Sequence, residues 1–248
     1  MFPGPQRSYI ESVMRGFVPG ASSFSSNGHY TSGAAVADAP VHNAGVVNVT
    51  SAAGVKMSFV STSAQDGPAG TGILSLAMSY IEAVTFASKT EIITLNGTTP
   101  VLSVATNIRF INSLTMLSSG TAVTGKAVGT ITASNGGVTY GQILVGTRTQ
   151  ESSYRMVPTG KVFVPHIIVA SSNSGTAAAQ CIFHIVSWSD VLPFWIPSNA
   201  IGCQDGPIII PLGAGRAISS GGIIGIEFTA DKAAQVTASL IGHIENTY

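Results

Sequence analysis

The side chains able to move protons or hold metals are few and scattered. The chain has five histidines and eleven carboxylates in 248 residues. His166 and His184 fall on consecutive predicted strands, where antiparallel pairing would make them cross-strand neighbours. Two imidazoles do not make a zinc site, which takes a third protein ligand and usually a fourth, so both are read as hydrogen-bonded sheet histidines. A glycosidase needs two carboxyl groups acting across one bond, and no spacing here singles out such a pair. There is no G-x-S-x-G elbow, P-loop, H-E-x-x-H or C-x-x-C. Gly213-Ala214-Gly215 opens like a dinucleotide motif, but the third glycine is missing and a predicted strand follows. The sequence is therefore expected to hold no catalytic, cofactor-binding or metal site.

Four aromatics stand close together: Phe183, Trp188, Phe194 and Trp195, with Pro193 and Pro197 interrupting the strand pattern. Rings exposed beside loops can stack on sugars. The preferred reading is a core or subunit-interface cluster, where Trp and Phe are enriched. Cys181 and Cys203 are the only cysteines and are read as buried, reduced thiols. Asn48-Val-Thr50 and Asn96-Gly-Thr98 fit the glycosylation acceptor pattern, a frequent chance match in a chain so rich in Thr.

The elements that position these residues are read as strands. Apolar residues alternate within residues 56–61, 91–95, 129–133, 161–170, 180–188 and 235–244, among thirteen strand candidates that include 46–50, 73–80 and 81–87. Asn96-Gly97 and Asn135-Gly136-Gly137 supply turn chemistry. No period of fixed length recurs, which argues against solenoids and propellers. The expected fold is all-β, a jelly-roll-like β-sandwich over residues 34–248.

Residues 1–33 read differently. Ser8-Tyr9-Ile10-Glu11 fits a capping box, and Tyr9, Ile10, Val13, Met14 and Phe17 recur at helical spacing until Pro19-Gly20. A helix of about ten residues is marginal alone, so it is expected to dock. The Ser/Gly/Asn-rich stretch 21–33 reads as a flexible tether. Together they form a docking arm.

Charged residues make up 9% of the chain, with Lys+Arg and Asp+Glu equal at 11 each, against about 25% charged in an average domain. A net charge of zero gives little repulsion to keep copies apart. The basic residues are scattered singly, which excludes a phosphate-binding surface and hence nucleic acid as a partner. Apolar stretches such as 162–170 and 223–228 fall short of the roughly 20 residues of a membrane helix. Arg7, Glu11 and Arg15 interrupt any signal-peptide core. The chain is expected to be made in the cytoplasm of its host and to meet no membrane.

Gly70-Thr71-Gly72, a following strand, and Glu91-Ile-Ile-Thr-Leu-Asn-Gly-Thr-Thr-Pro-Val101 resemble a family of uncharacterised structural proteins of tailed bacteriophages. The likeness runs through 108–116, 129–133 and 156–164 to the closing stretch 211–245, about residues 68–245 in all. It omits the N-terminal arm. Residues 73–87 are more apolar here than the family pattern. The resemblance implies a virion component and leaves open whether it decorates the capsid, forms part of the tail or binds a host. Its partners would be copies of itself, a trimer being one arrangement, and other virion proteins. The alternative it leaves open is a receptor- or carbohydrate-binding module of a fibre or spike that meets a host surface glycan.

Overall fold

A computed structural model describes residues 12–13, 18–121, 125–174, 178–191, 196–212 and 217–247. Strand β1 (Ala21–Thr31) is followed by β2 (Val36–Pro40). The chain then builds β3 (Ser58–Ser61), β4 (Ile73–Glu82), β5 (Ser88–Thr94), β6 (Val101–Leu102), β7 (Ile108–Ser119), β8 (Ile131–Asn135) and β9 (Val138–Ile143). It finishes with β10 (Arg155–Met156), β11 (Lys161–Asn173), β12 (Gln180–Trp188), β13 (Ile196–Gln204), β14 (Gly206–Pro211), β15 (Ile218–Ser219), β16 (Ile223–Ala230) and β17 (Gln235–Asn246). The fold is all-β and built of antiparallel sheets.

Eight of these strands pair from the ends inward. β1 pairs β17, β2 pairs β16, β11 pairs β14, and β12 pairs β13. Lateral pairing of β17 with β11 and of β16 with β12 then gives two sheets, ordered β1-β17-β11-β14 and β2-β16-β12-β13. A long double strand wound on itself in this way is a jelly roll. Its core follows from two-residue alternation. Ile224, Ile226, Phe228 and Ala230 of β16 face Val236, Ala238 and Leu240 of β17, with Phe163, Ile168 and Phe183 between them. Thr237 and Ser239, in the intervening positions of β17, point outward.

Between the second and third of those eight strands the chain leaves the jelly roll and returns. The excursion forms a second lobe, with sheets β6-β3-β8-β9 and β5-β4-β7 enclosing a separate core that includes Met57, Phe59, Leu76, Met78, Leu114 and Ile131. The sequence reading expected one sandwich over 34–248; the structure has two packed cores. The outgoing and returning segments are joined at their base. His42 and Ser152 form an antiparallel bridge, and the Asn43 and Ser153 amides donate to the carbonyls of Glu151 and Val41.

The tether reading of 21–33 is corrected. All eleven residues of β1 are in register with β17, from Ala21 opposite Glu245 to Thr31 opposite Gln235. Phe24 packs edge-on against Phe163, with ring centroids 4.6 Å apart, and Tyr30 lies 5.6 Å from Phe228. Polar composition suggested a linker, but backbone hydrogen bonds and two inward rings are enough to hold an edge strand. Of the arm predicted over 8–17, Tyr9, Ile10, Met14 and Phe17 lie outside the described residues. Ser12 and Val13, the described residues of that stretch, have helical conformation, and Val13 is buried at 2% exposure.

Two further differences have local causes. Residues 46–50 are an extended connector without a ladder; their Val47 and Val49 pack against the inter-lobe contact. Asn96-Gly97 does make a turn, closed by the Thr99 amide on the Asn96 carbonyl. However, it carries the chain from β5 in one sheet to β6 in the other, so it is not a hairpin. Asn135-Gly136-Gly137 does join a paired β8–β9 hairpin.

Candidate functional site

Of the predicted aromatic group, the two described members, Phe183 and Trp188, lie in different surroundings. Phe183 is buried in the jelly-roll core, while Phe194 and Trp195 lie outside the described residues. Trp188 is half-buried where the lobes meet. Arg109 of β7 reaches across to it, with the guanidinium carbon 5.4 Å from the ring centroid. The same guanidinium donates to the Thr50 carbonyl and pairs with Asp190. A cation within the apolar run Ile108-Arg-Phe-Ile111 was the sequence signal for this contact.

Around it Ile81 and Phe110 from the inserted lobe pack on Tyr154, Met156, Val186 and Ile223 of the jelly roll. The Tyr154 ring lies flat over β16 because residue 225 is glycine; a Cβ there would sit 2.2 Å from the ring. Its hydroxyl donates to Glu227 at 3.4 Å. Burial, with help from Asp38, pushes the Glu227 carboxyl up to about 7, against the pull of Tyr154. Burial holds the Tyr154 phenol well above its usual range. At the base of the excursion, burial takes His42 down to about 4, and its Nδ1 has no partner.

His166 and His184 do not meet. His184 stands opposite Glu227 and Ala200 in one sheet. His166, the extra residue of a β11 bulge in the other sheet, stacks on His243 with ring nitrogens 2.6 Å apart. Burial and the second imidazole both lower the His166 pKa. Glu245 lies on the far side of His243, 3.3 Å from its Nε2, so these groups line up without enclosing a metal-sized space. Among the described residues no three His, Cys, Asp or Glu side chains form a metal-binding group.

A polar cleft of about 380 Å³ opens between the lobes. Ser25 and Asn27 of β1 form one wall, Ser113 and Thr115 of β7 the other, and Thr149, Gln150, Glu151 and Arg155 line it from the returning segment. A second hollow of about 160 Å³ continues it past Asn27 and Glu151 to His29, Thr237 and Ser239. His29 Nδ1 lies 3.6 Å from the Glu151 carboxylate. The Arg155 guanidinium donates to the Tyr154 carbonyl at 2.8 Å, and burial lowers its pKa to about 10. Sequence reading missed this site because its parts lie up to 130 residues apart on strands that no local signal relates.

It also missed Asp66. This fully buried carboxylate accepts from the Ser61 hydroxyl (2.6 Å) and from the amides of Ile73 (2.9 Å), Val128 (3.0 Å) and Gly129 (2.8 Å). The two segments that carried the family resemblance meet here. Gly72 abuts the Asp66 carboxylate, and Gly97 donates its amide to the Asp66 carbonyl. Gly97 has φ of 59° and packs its backbone against Ala64, so a side chain would be excluded twice.

No family model and no curated protein matches the chain. Solved structures that align along most of it include that of infectious bursal disease virus Gt strain, at 9% identity, covering 98% of this chain and 82% of that one, with a TM-score of 0.18. T=1 particles derived from infectious bursal virus align at 9% identity over 92% of this chain and 74% of theirs, with a TM-score of 0.16. The fold assignment rests on the strand pairing alone.

Proposed function

We propose that the chain is a self-assembling structural component of a virus particle, with the jelly roll as the base and the inserted lobe as the projection. The observation that carries this reading is the outward face of the sheet β1-β17-β11-β14. Register places Val169 beside Ile209, and Ile167 between Pro211 and Ile241. Ile209 is 68% exposed. The strip is apolar on one side and hydroxyl-bearing on the other. A single domain in water rarely displays such a face unless something covers it. A second copy suits it, because a chain of zero net charge brings little ionic repulsion or desolvation to the contact.

Jelly rolls serve in capsids, lectins and cupins alike, so fold alone does not choose among them; the apolar outward patch around Ile209 favours the shell. The β14 edge carries Pro207 and Pro211, which disfavour strand-to-strand addition at that edge. Assignment to a tailed phage, as a head decoration or tail part, rests on the resemblance carried by residues 70–72 and 91–101. The role is non-catalytic. The receptor-binding alternative is no longer attached to Trp188, which lies against Arg109.

Ile209→Asp is the test. Particles or oligomers seen by electron microscopy for the parent chain should be lost in the variant, with its melting temperature unchanged. Intact assembly by the variant would contradict the reading.

A further inference from the structure

We propose that the cleft between the lobes binds a carboxylated saccharide, with Arg155 receiving the carboxylate and Glu151 the ring hydroxyls. The proposal goes beyond the assembly role and does not depend on it, because a single chain contains the whole site.

The cationic end is built into the joint. Asn112 of β7 clamps β10 by accepting from the Met156 amide at 2.8 Å and donating to the Met156 carbonyl at 3.1 Å. That clamp fixes the neighbouring Arg155 at the cleft wall. Buried or half-buried charges are normally paired within the fold. Arg155 has the Tyr154 carbonyl as an acceptor, and among the described residues no carboxylate comes within ion-pair reach of it. Its guanidinium stays charged at neutral pH while partly stripped of water. The fork of N–H donors fits the two oxygens of a carboxylate.

The rest of the cleft asks for more than a bare anion. Ser25 and Asn27 on one side, with Ser113 and Thr115 on the other, offer donors and acceptors along its length. Glu151 can accept hydroxyl protons but would repel a second negative charge, and among the described residues lining the hollow His29 beside it is the other titratable group. A ligand must therefore carry its charge at the Arg155 end and hydroxyls elsewhere. About 380 Å³ falls in the range of small-ligand sites, roughly 300–1,000 Å³. A sugar acid meets each of these conditions.

The full chain would be titrated by calorimetry with sialyllactose and glucuronic acid. Lactose and glucose serve as neutral controls, acetate and inorganic phosphate as bare anions, and an oligo-glutamate peptide as an acidic protein segment. At least one sugar acid should bind, with the neutral sugars about tenfold weaker or worse. Arg155→Gln should weaken binding by about tenfold or more. Thr115→Trp, made at an exposed strand position, should fill the cleft and abolish binding with no change in melting temperature; it also carries the test if Arg155→Gln fails to fold. The proposal is overturned if neither sugar acid binds, if acetate or phosphate binds as tightly, if the peptide binds in place of the sugars, or if Thr115→Trp leaves binding intact.

Discussion

Glu227 and His42 make stability respond to pH in opposite senses. Glu227 titrates near 7 in the folded chain and near 4.5 when unfolded. Its contribution is thus fully present below 4.5 and lost as pH rises through 7. His42 titrates near 4 when folded and near 6.5 when unfolded, so its contribution is present above 6.5 and lost as pH falls through 4. Glu227 is half-exposed, and solvent screening limits its effect to about 1 kcal/mol; fully buried His42 is worth about 3 kcal/mol. Urea melts of Glu227→Gln should show a gain at pH 8 that vanishes at pH 4.5. His42→Gln should flatten the acid limb below pH 6.5. Asp66→Ala strands three backbone amides and should cost at least about 3 kcal/mol in a denaturant melt. None of these three stood out in the sequence. Each is a single polar residue with at least one partner on a distant segment, as Val128 and Gly129 are for Asp66, and spacing along the chain carries no trace of that.

Individual strands were far more legible. Residues 161–170, 180–188 and 235–244 alternate, apart from breaks such as the His166 bulge, because one side faces a core and the other does not. β1 was hidden, since its stability comes from pairing with residues more than 200 positions away and only Phe24 and Tyr30 mark its inner side. The joint depends on close approach of a ring to a strand. Gly225→Ala drives a Cβ into Tyr154 and should cost about 1–3 kcal/mol, measured as a lowered melting temperature; Tyr154→Ala in the same background should recover part of that loss. In β12 and β13, Cys181 and Cys203 stand directly opposite one another as free thiols against the jelly-roll core. Antiparallel register puts such α-carbons about 4.5–5.5 Å apart, within disulfide range. Treatment with diamide should join them within one chain, with a mass loss of two hydrogens and no change in the far-ultraviolet spectrum.

At the scale of the whole molecule, the sequence showed a strand-built body with too few ionic groups to repel its own copies. It did not show that the body has two cores, because the strands of the inserted lobe alternate just as those of the jelly roll do. The end-inward strand pairing and the bridged base of the excursion account for both: a wound double strand that lets one connection grow into a lobe without disturbing its sheets. The outward face around Val169 and Ile209 is then left on the jelly roll, at the β11–β14 end of a sheet whose β1 edge lines the cleft. Light scattering of the purified chain across a concentration series tests this most directly. A defined oligomer that falls to monomer in Ile209→Asp, with an unchanged melt, is the predicted result; a parent chain that stays monomeric at every concentration would contradict it.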